Sequence, residues 1–241
     1  MESERFDIPP NCRDFNSNHL EDRRTVAIGL LKAFLKHFSP KGYKNKAWTV
    51  AVRETLSRIC PTSCEANPRD PQSRKGEFLV DYCWHDWANR EVGNRLLLVC
   101  ESEWGTKDRF GEEVCWQEVE VDFEKLLSVK APFKLLIFTS NFQLDEAQSR
   151  EDGDFSIEYA RKRLSASLEC YGHHLAGEVY VFLDFPRKCH EEGVYRLFIW
   201  QSQLTAPVAF VDLSPVEDGN YLADRRLQSP DLNDSQLIKG D

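Results

Sequence analysis

Apolar side chains recur along this chain at two periods, one helical and one extended. Over residues 22–38, Ala27, Leu30, Leu31, Phe34, Leu35 and Phe38 fall three and four apart. That spacing predicts an amphipathic helix, ended by Ser39-Pro40-Lys41-Gly42. A second helix is expected over residues 45–60, where Trp48, Val52, Leu56 and Ile59 form one stripe. Residues 60–76 carry Pro61, Pro68 and Pro71 and read as a loop. The period then shortens. Residues 77–84 and 94–104 read as the two strands of a hairpin, with the turn formers Asn89, Gly93 and Asn94 between them. A helix over 118–130 is stopped by Ala131-Pro132, and a strand follows over 133–139. Another helix over 154–172 leads into strands over 178–185 and 194–201. Residues 1–20 read as an irregular N-terminal arm and 214–241 as a polar, loosely held tail. Between them, 21–213 is expected to be one α/β domain.

The hairpin carries the candidate chemistry. With its turn centred near Glu91, paired residue numbers sum to about 182, which sets Asp81 opposite Glu101. Glu103 lies two residues on and shares that face. Three converging carboxylates repel one another, and each loses hydration if enclosed. A divalent cation relieves both penalties, and an all-oxygen set suits Mg²⁺ or Mn²⁺ better than zinc. Glu101 also ends the run Leu96-Leu97-Leu98-Val99-Cys100, which reads as a strand buried on both faces. The alternative is a strand end that simply emerges into water.

Composition limits the choice of partner. The 241 residues carry a formal net charge of −9, which excludes a protein whose whole surface coats nucleic acid. The charge is unevenly spread. The tail holds three basic and six acidic side chains, whereas residues 25–53 contain no Asp or Glu. That acid-free stretch carries Lys32, Lys36, Lys41, Lys44, Lys46 and Arg53, interleaved with Tyr43 and Trp48. Lys41, Lys44 and Lys46 are the candidate contacts to a phosphate backbone. An ordinary solvated back of two helices is the competing reading.

Eight cysteines include one close pair, Cys60 and Cys64, with no second pair to complete a tetrahedral zinc set. Free, mostly buried thiols are expected. His173-His174 follows an expected helix end, where histidine meets terminal carbonyls. No apolar run approaches the roughly 20 residues of a membrane span. The start lacks a basic-then-apolar leader pattern, so an intracellular, cytoplasmic protein away from membranes is expected.

Asp81, nineteen intervening residues, then Glu101-Ser102-Glu103 on a buried strand, followed by a helix and another apolar strand, resembles the PD-(D/E)XK nuclease superfamily. The likeness covers about residues 45–139. It implies a restriction-endonuclease-like fold, a central mixed β-sheet flanked by helices, and Mg²⁺-dependent cleavage of phosphodiester bonds. The chain departs from the family pattern in three ways. Val80 stands where many members have proline, Glu103 stands in place of the lysine, and only a loop is expected before the Asp81 strand.

By this resemblance, Asp81, Glu101 and Glu103 would hold Mg²⁺, with Mn²⁺ as a substitute. Glu103 would complete the metal shell or accept a proton from water. A lysine on the next helix, Lys130 or Lys125, would neutralise developing charge. Helical spacing places Lys130 with the inward stripe of Val119, Phe123, Leu126 and Leu127, and Lys125 off it. Glu54, the acidic choice on the second helix, lies far from that helix's apolar stripe and reads as solvated.

The expected function is hydrolysis of DNA, with RNA and a homodimer left open. The alternative is a catalytically inactive nuclease-fold binding module. A two-carboxylate glycosidase fits poorly, because neighbours on one strand rarely flank a sugar at the required separation of about 5–9 Å.

Overall fold

The computed structural model describes residues 5–13, 20–38, 45–72, 79–86, 95–104, 106–107, 113–114, 116–141, 147–149, 155–175, 177–185, 195–202 and 209–213. Two helices come first, α1 (Leu20–His37) and α2 (Asn45–Ile59). Strands β1 (Cys64–Asn67), β2 (Tyr82–Asp86) and β3 (Arg95–Glu103) follow. A short ribbon pairs β4 (Thr106–Lys107) with β5 (Glu113–Val114). Then come α3 (Trp116–Ser128), β6 (Phe133–Phe138) and α4 (Ile157–Cys170). The last strands are β7 (Val179–Asp184), β8 (Tyr195–Gln201) and β9 (Ala209–Leu213).

Seven of the strands form one mixed sheet in the order β1-β2-β3-β6-β7-β8-β9. β3, β6 and β7 run parallel, and every other pairing in this sheet is antiparallel. α3 and α4 are the crossovers between the parallel strands. This is an α/β architecture with helices on both faces, which is why β6 and β7 are buried at every position.

The two faces have separate cores. α1 and α2 bring Leu30, Phe34, Trp48 and Leu56 onto Tyr82, Trp84, Cys100 and Leu135. On the opposite face, α3 and α4 pack Val119, Phe123, Leu126 and Leu164 against Val99, Leu136 and Phe182. Ser156 caps α4, its hydroxyl accepting the Tyr159 N–H at 3.1 Å. The N-terminal arm docks at Ile59, whose carbonyl accepts the Phe6 N–H at 3.0 Å, and Ile8 and Cys12 are buried.

The expected loop over 60–76 contains a strand. β1 is short, half-buried and without alternation, so no local pattern marked it; antiparallel pairing to β2 made it a strand. It also supplies a strand ahead of Asp81, where the sequence leads one to expect only a loop. β9 was likewise not expected, and it extends the far edge by pairing with β8. The hairpin turn over 87–94 and the tail lie outside the described residues, as do Lys41 and Lys44. Among the described residues, no helix is long and apolar enough to cross a membrane.

Candidate active site

The hairpin register places the first two carboxylates. Tyr82 pairs with Cys100, Cys83 with Val99 and Trp84 with Leu98, before a bulge at Trp84/His85 shifts the ladder. Extending that register by one residue sets Asp81 against Glu101. The contact is made through the backbone, the Asp81 N–H donating to Glu101 Oε2 at 3.3 Å.

Their carboxylates then take different partners. Asp81 Oδ1 accepts from Arg53 Nη2 at 3.2 Å, and Oδ2 accepts from the Ser102 N–H at 3.0 Å and the Ser102 hydroxyl at 2.9 Å. Glu101 turns toward α3 and is only 2% exposed. Its Oε1 has no hydrogen-bond partner among the described residues, although Lys125 Nζ lies 3.5 Å away. Lys125 in turn donates to Asp122 Oδ1 at 2.6 Å.

α3 thus contributes an acid and a base, three residues apart on neighbouring turns. Asp122 lies on the buried stripe of that helix between Val119 and Leu126. A carboxylate at a core position of an amphipathic helix is the sequence signal for this residue. Arg53 carried a similar signal. It is buried next to Val52 on α2 and serves Asp81, whereas the sequence reading had counted it in a phosphate-binding patch.

A cleft of about 260 Å³ opens over this group. Asp81, Glu101, Ser102, Glu103, Asp122 and Lys125 line it. Arg53 and Lys46 lie on the α2 side, with the exposed Lys46 at the start of that helix. Glu103 is half-buried there. Glu54 is exposed, and its Oε1 accepts from Gln72 Nε2 at 2.6 Å.

The electrostatics follow from enclosure. Burial, then Asp122, then Asp81 push the Glu101 carboxyl up to about 9, against the pull of Lys125. Asp122 is also raised, chiefly by burial, with the Lys125 hydrogen bond opposing. Burial works to lower Lys125, but Asp122 and Glu101 outweigh it and carry the ammonium up to about 12.

The two candidate lysines exchange places relative to expectation. Lys130 is exposed, donates to the His173 carbonyl and sits 5.4 Å from the Tyr171 ring centre. α3 stops at Ser128, so a helical period extended to residue 130 no longer describes the backbone. Lys125 starts off the apolar stripe, and its long stem carries the ammonium back over the helix edge. His174 meets a helix end as expected, its Nε2 donating to the Leu168 carbonyl at 2.8 Å. Cys12, Cys60, Cys64, Cys83, Cys100 and Cys170 are free thiols; four are buried, Cys64 is half-buried and Cys170 is exposed.

Among the described residues, no three His, Cys, Asp or Glu side chains are disposed as a ready metal set. Asp81 is engaged by Arg53 and Ser102, while Glu101 and Asp122 both face the position that the Lys125 ammonium occupies. In part, the residues fit a hard divalent ion. The donors are all carboxylate oxygens, and the buried Glu101 Oε1 lacks a hydrogen bond. No protein-family model matches the chain, no curated protein matches it, and no solved structure matches its fold.

Proposed function

We propose that this chain hydrolyses phosphodiester bonds of DNA at the cleft over β2, β3 and α3, with Mg²⁺ or Mn²⁺ as cofactor. The observation that carries the reading is the buried Glu101, set opposite Asp81 at the end of β3 with a lysine from the next helix 3.5 Å away. A restriction-endonuclease-like arrangement is supported by β3 lying between an antiparallel β2 and a parallel β6.

A divalent ion held by Asp81, Glu101 and Glu103 would acidify a water and stabilise charge on the phosphoryl oxygens. Glu103 would accept the proton as the water oxygen bonds to phosphorus and the bond to the leaving oxygen breaks, and the leaving oxygen would take its proton from solvent. Lys125 offsets the negative charge that builds on the phosphate. Lys46, exposed at the cleft mouth, meets the approaching backbone. An intracellular setting agrees with the substrate and with the free thiols.

A nuclease-fold binding module without cleavage is the second reading. It is favoured by Asp81, whose two oxygens are engaged by Arg53 and Ser102. The test is cleavage of plasmid and single-stranded DNA with Mg²⁺ or Mn²⁺. Cleavage is expected from the native chain and is lost in Asp81→Ala and Glu101→Ala. Cleavage that survives both substitutions overturns the assignment of this site. Metal-dependent DNA binding without cleavage selects the second reading.

A further inference from the structure

The ammonium of Lys125 stands where two buried carboxylates converge. It is 2.6 Å from Asp122 Oδ1 and 3.5 Å from Glu101 Oε1. The first distance is a full hydrogen bond and the second is a longer ion pair. Glu101 Oε1 is a buried carboxyl oxygen, in a side chain 98% removed from solvent, with no hydrogen bond among the described residues. An acidic cluster alone would say little, but this oxygen is a separate sign of a site that lacks a partner.

We propose that Glu101 and Asp122 form the cation-holding pair of the cleft, with Lys125 as its resident counter-ion, displaced when a divalent cation binds. The inference rests on the metal-dependent reading of the site, and it deepens that reading by adding Asp122 and a coupled movement.

Three arguments carry the displacement. Mg²⁺ needs oxygens at about 2.1 Å. An ion that close to both carboxylates would lie within a few ångströms of the ammonium, and repulsion between two cations at that separation is large in a partly enclosed site. Lys125 also has an exit, since its side chain is 36% exposed and borders the cleft. Finally, α3 holds Asp122 in its core stripe, so the carboxylate stays in place while the lysine swings away. Once released, the ammonium is free to meet the substrate's phosphate. Cation binding thereby arms the site, and the bare protein keeps its acids neutralised internally.

The test measures Mn²⁺ binding to the full chain by calorimetry, without DNA. Lys125→Met keeps the apolar stem and removes the competing charge, so Mn²⁺ should bind roughly tenfold tighter. Asp122→Asn is isosteric, and loss of one ligand charge should weaken Mn²⁺ at least roughly tenfold. A second measurement needs no variant. Amine acetylation followed by mass spectrometry should show Lys125 labelling rise several-fold on adding Mg²⁺, with Lys46 as the internal comparison.

Binding that disappears in Glu101→Gln yet is unchanged in Asp122→Asn and Lys125→Met overturns this inference and leaves the metal-dependent reading intact. Labelling of Lys125 that stays constant at saturating Mg²⁺ also overturns it. No Mn²⁺ binding by any form of the protein overturns both.

Discussion

Two clusters of buried charge lie on the α3/α4 face of the same sheet, at opposite ends of the parallel strands. At one end, Lys134 of β6 and Glu178 before β7 are both fully buried, with 3.2 Å between Nζ and Oε2. Tyr180 accepts from Lys134 at 2.7 Å and donates to Glu178 at 3.2 Å, and His174 Nδ1 lies 3.2 Å from the same hydroxyl. At the other end, Asp81, Glu101 and Asp122 share Arg53 and Lys125.

Each cluster leaves one carboxylate oxygen, Oε1 of Glu178 or of Glu101, without a hydrogen bond among the described residues. The difference is balance and access. The first cluster matches one cation to one anion and is sealed. The second has more acids than bases and borders a cleft. A sealed, balanced pair contributes to one packing arrangement, whereas an open, acid-rich group keeps a repulsion that a cation from outside would relieve.

The largest expected effect comes from unbalancing the sealed end. Lys134→Met leaves Glu178 buried without its partner and should cost about 3–5 kcal/mol in urea unfolding. Adding Glu178→Gln should recover most of that loss, because the stranded charge disappears. If the single variant is no worse than the double, the pair is not a charge-balanced unit.

The open end should respond with the opposite sign. Glu101→Gln removes an acid from a crowded, enclosed group and should raise stability by about 0.5–2 kcal/mol without added metal. The same substitution should abolish any Mg²⁺-dependent rise in Tm. A loss of stability comparable to that of Lys134→Met would erase the contrast between the two ends.

The smallest effect is a pH slope. Burial lowers Lys134 from 10.5 to about 8, against the pull of Glu178. Between those values the unfolded chain binds more protons than the folded one, so this group makes stability rise with pH. Its contribution is fully present above about 10.5 and is lost as pH falls through about 8. From pH 8 to 9 the native chain should gain on the order of 1 kcal/mol relative to the Lys134→Met/Glu178→Gln variant. Equal slopes in the two proteins would show that Lys134 titrates normally in its site.

Much of the frame is legible in the sequence. The period-2 run and turn formers of the hairpin predicted a register, and Tyr82↔Cys100 falls on it. The first two helices begin and end within about two residues of their sequence signals, because capping and apolar spacing are local properties. β1 was illegible because four half-buried residues become a strand only when β2 offers its edge. Asp122 was legible in principle, as a carboxylate in an apolar stripe.

By itself, the sequence determined which segments bury apolar faces, and hence an α/β chain with Asp81 and Glu101 brought together by one hairpin. Periodicity encodes that much, since it acts through neighbours close in the chain. Only the tertiary structure decided which charges the acids meet. Arg53 reaches Asp81 from a helix 28 residues earlier, and Lys125 stands beside Glu101 while Lys130, beyond the end of α3 at Ser128, turns to the His173 carbonyl. Long side chains and helix ends choose partners through space, and that choice is not written in any single segment.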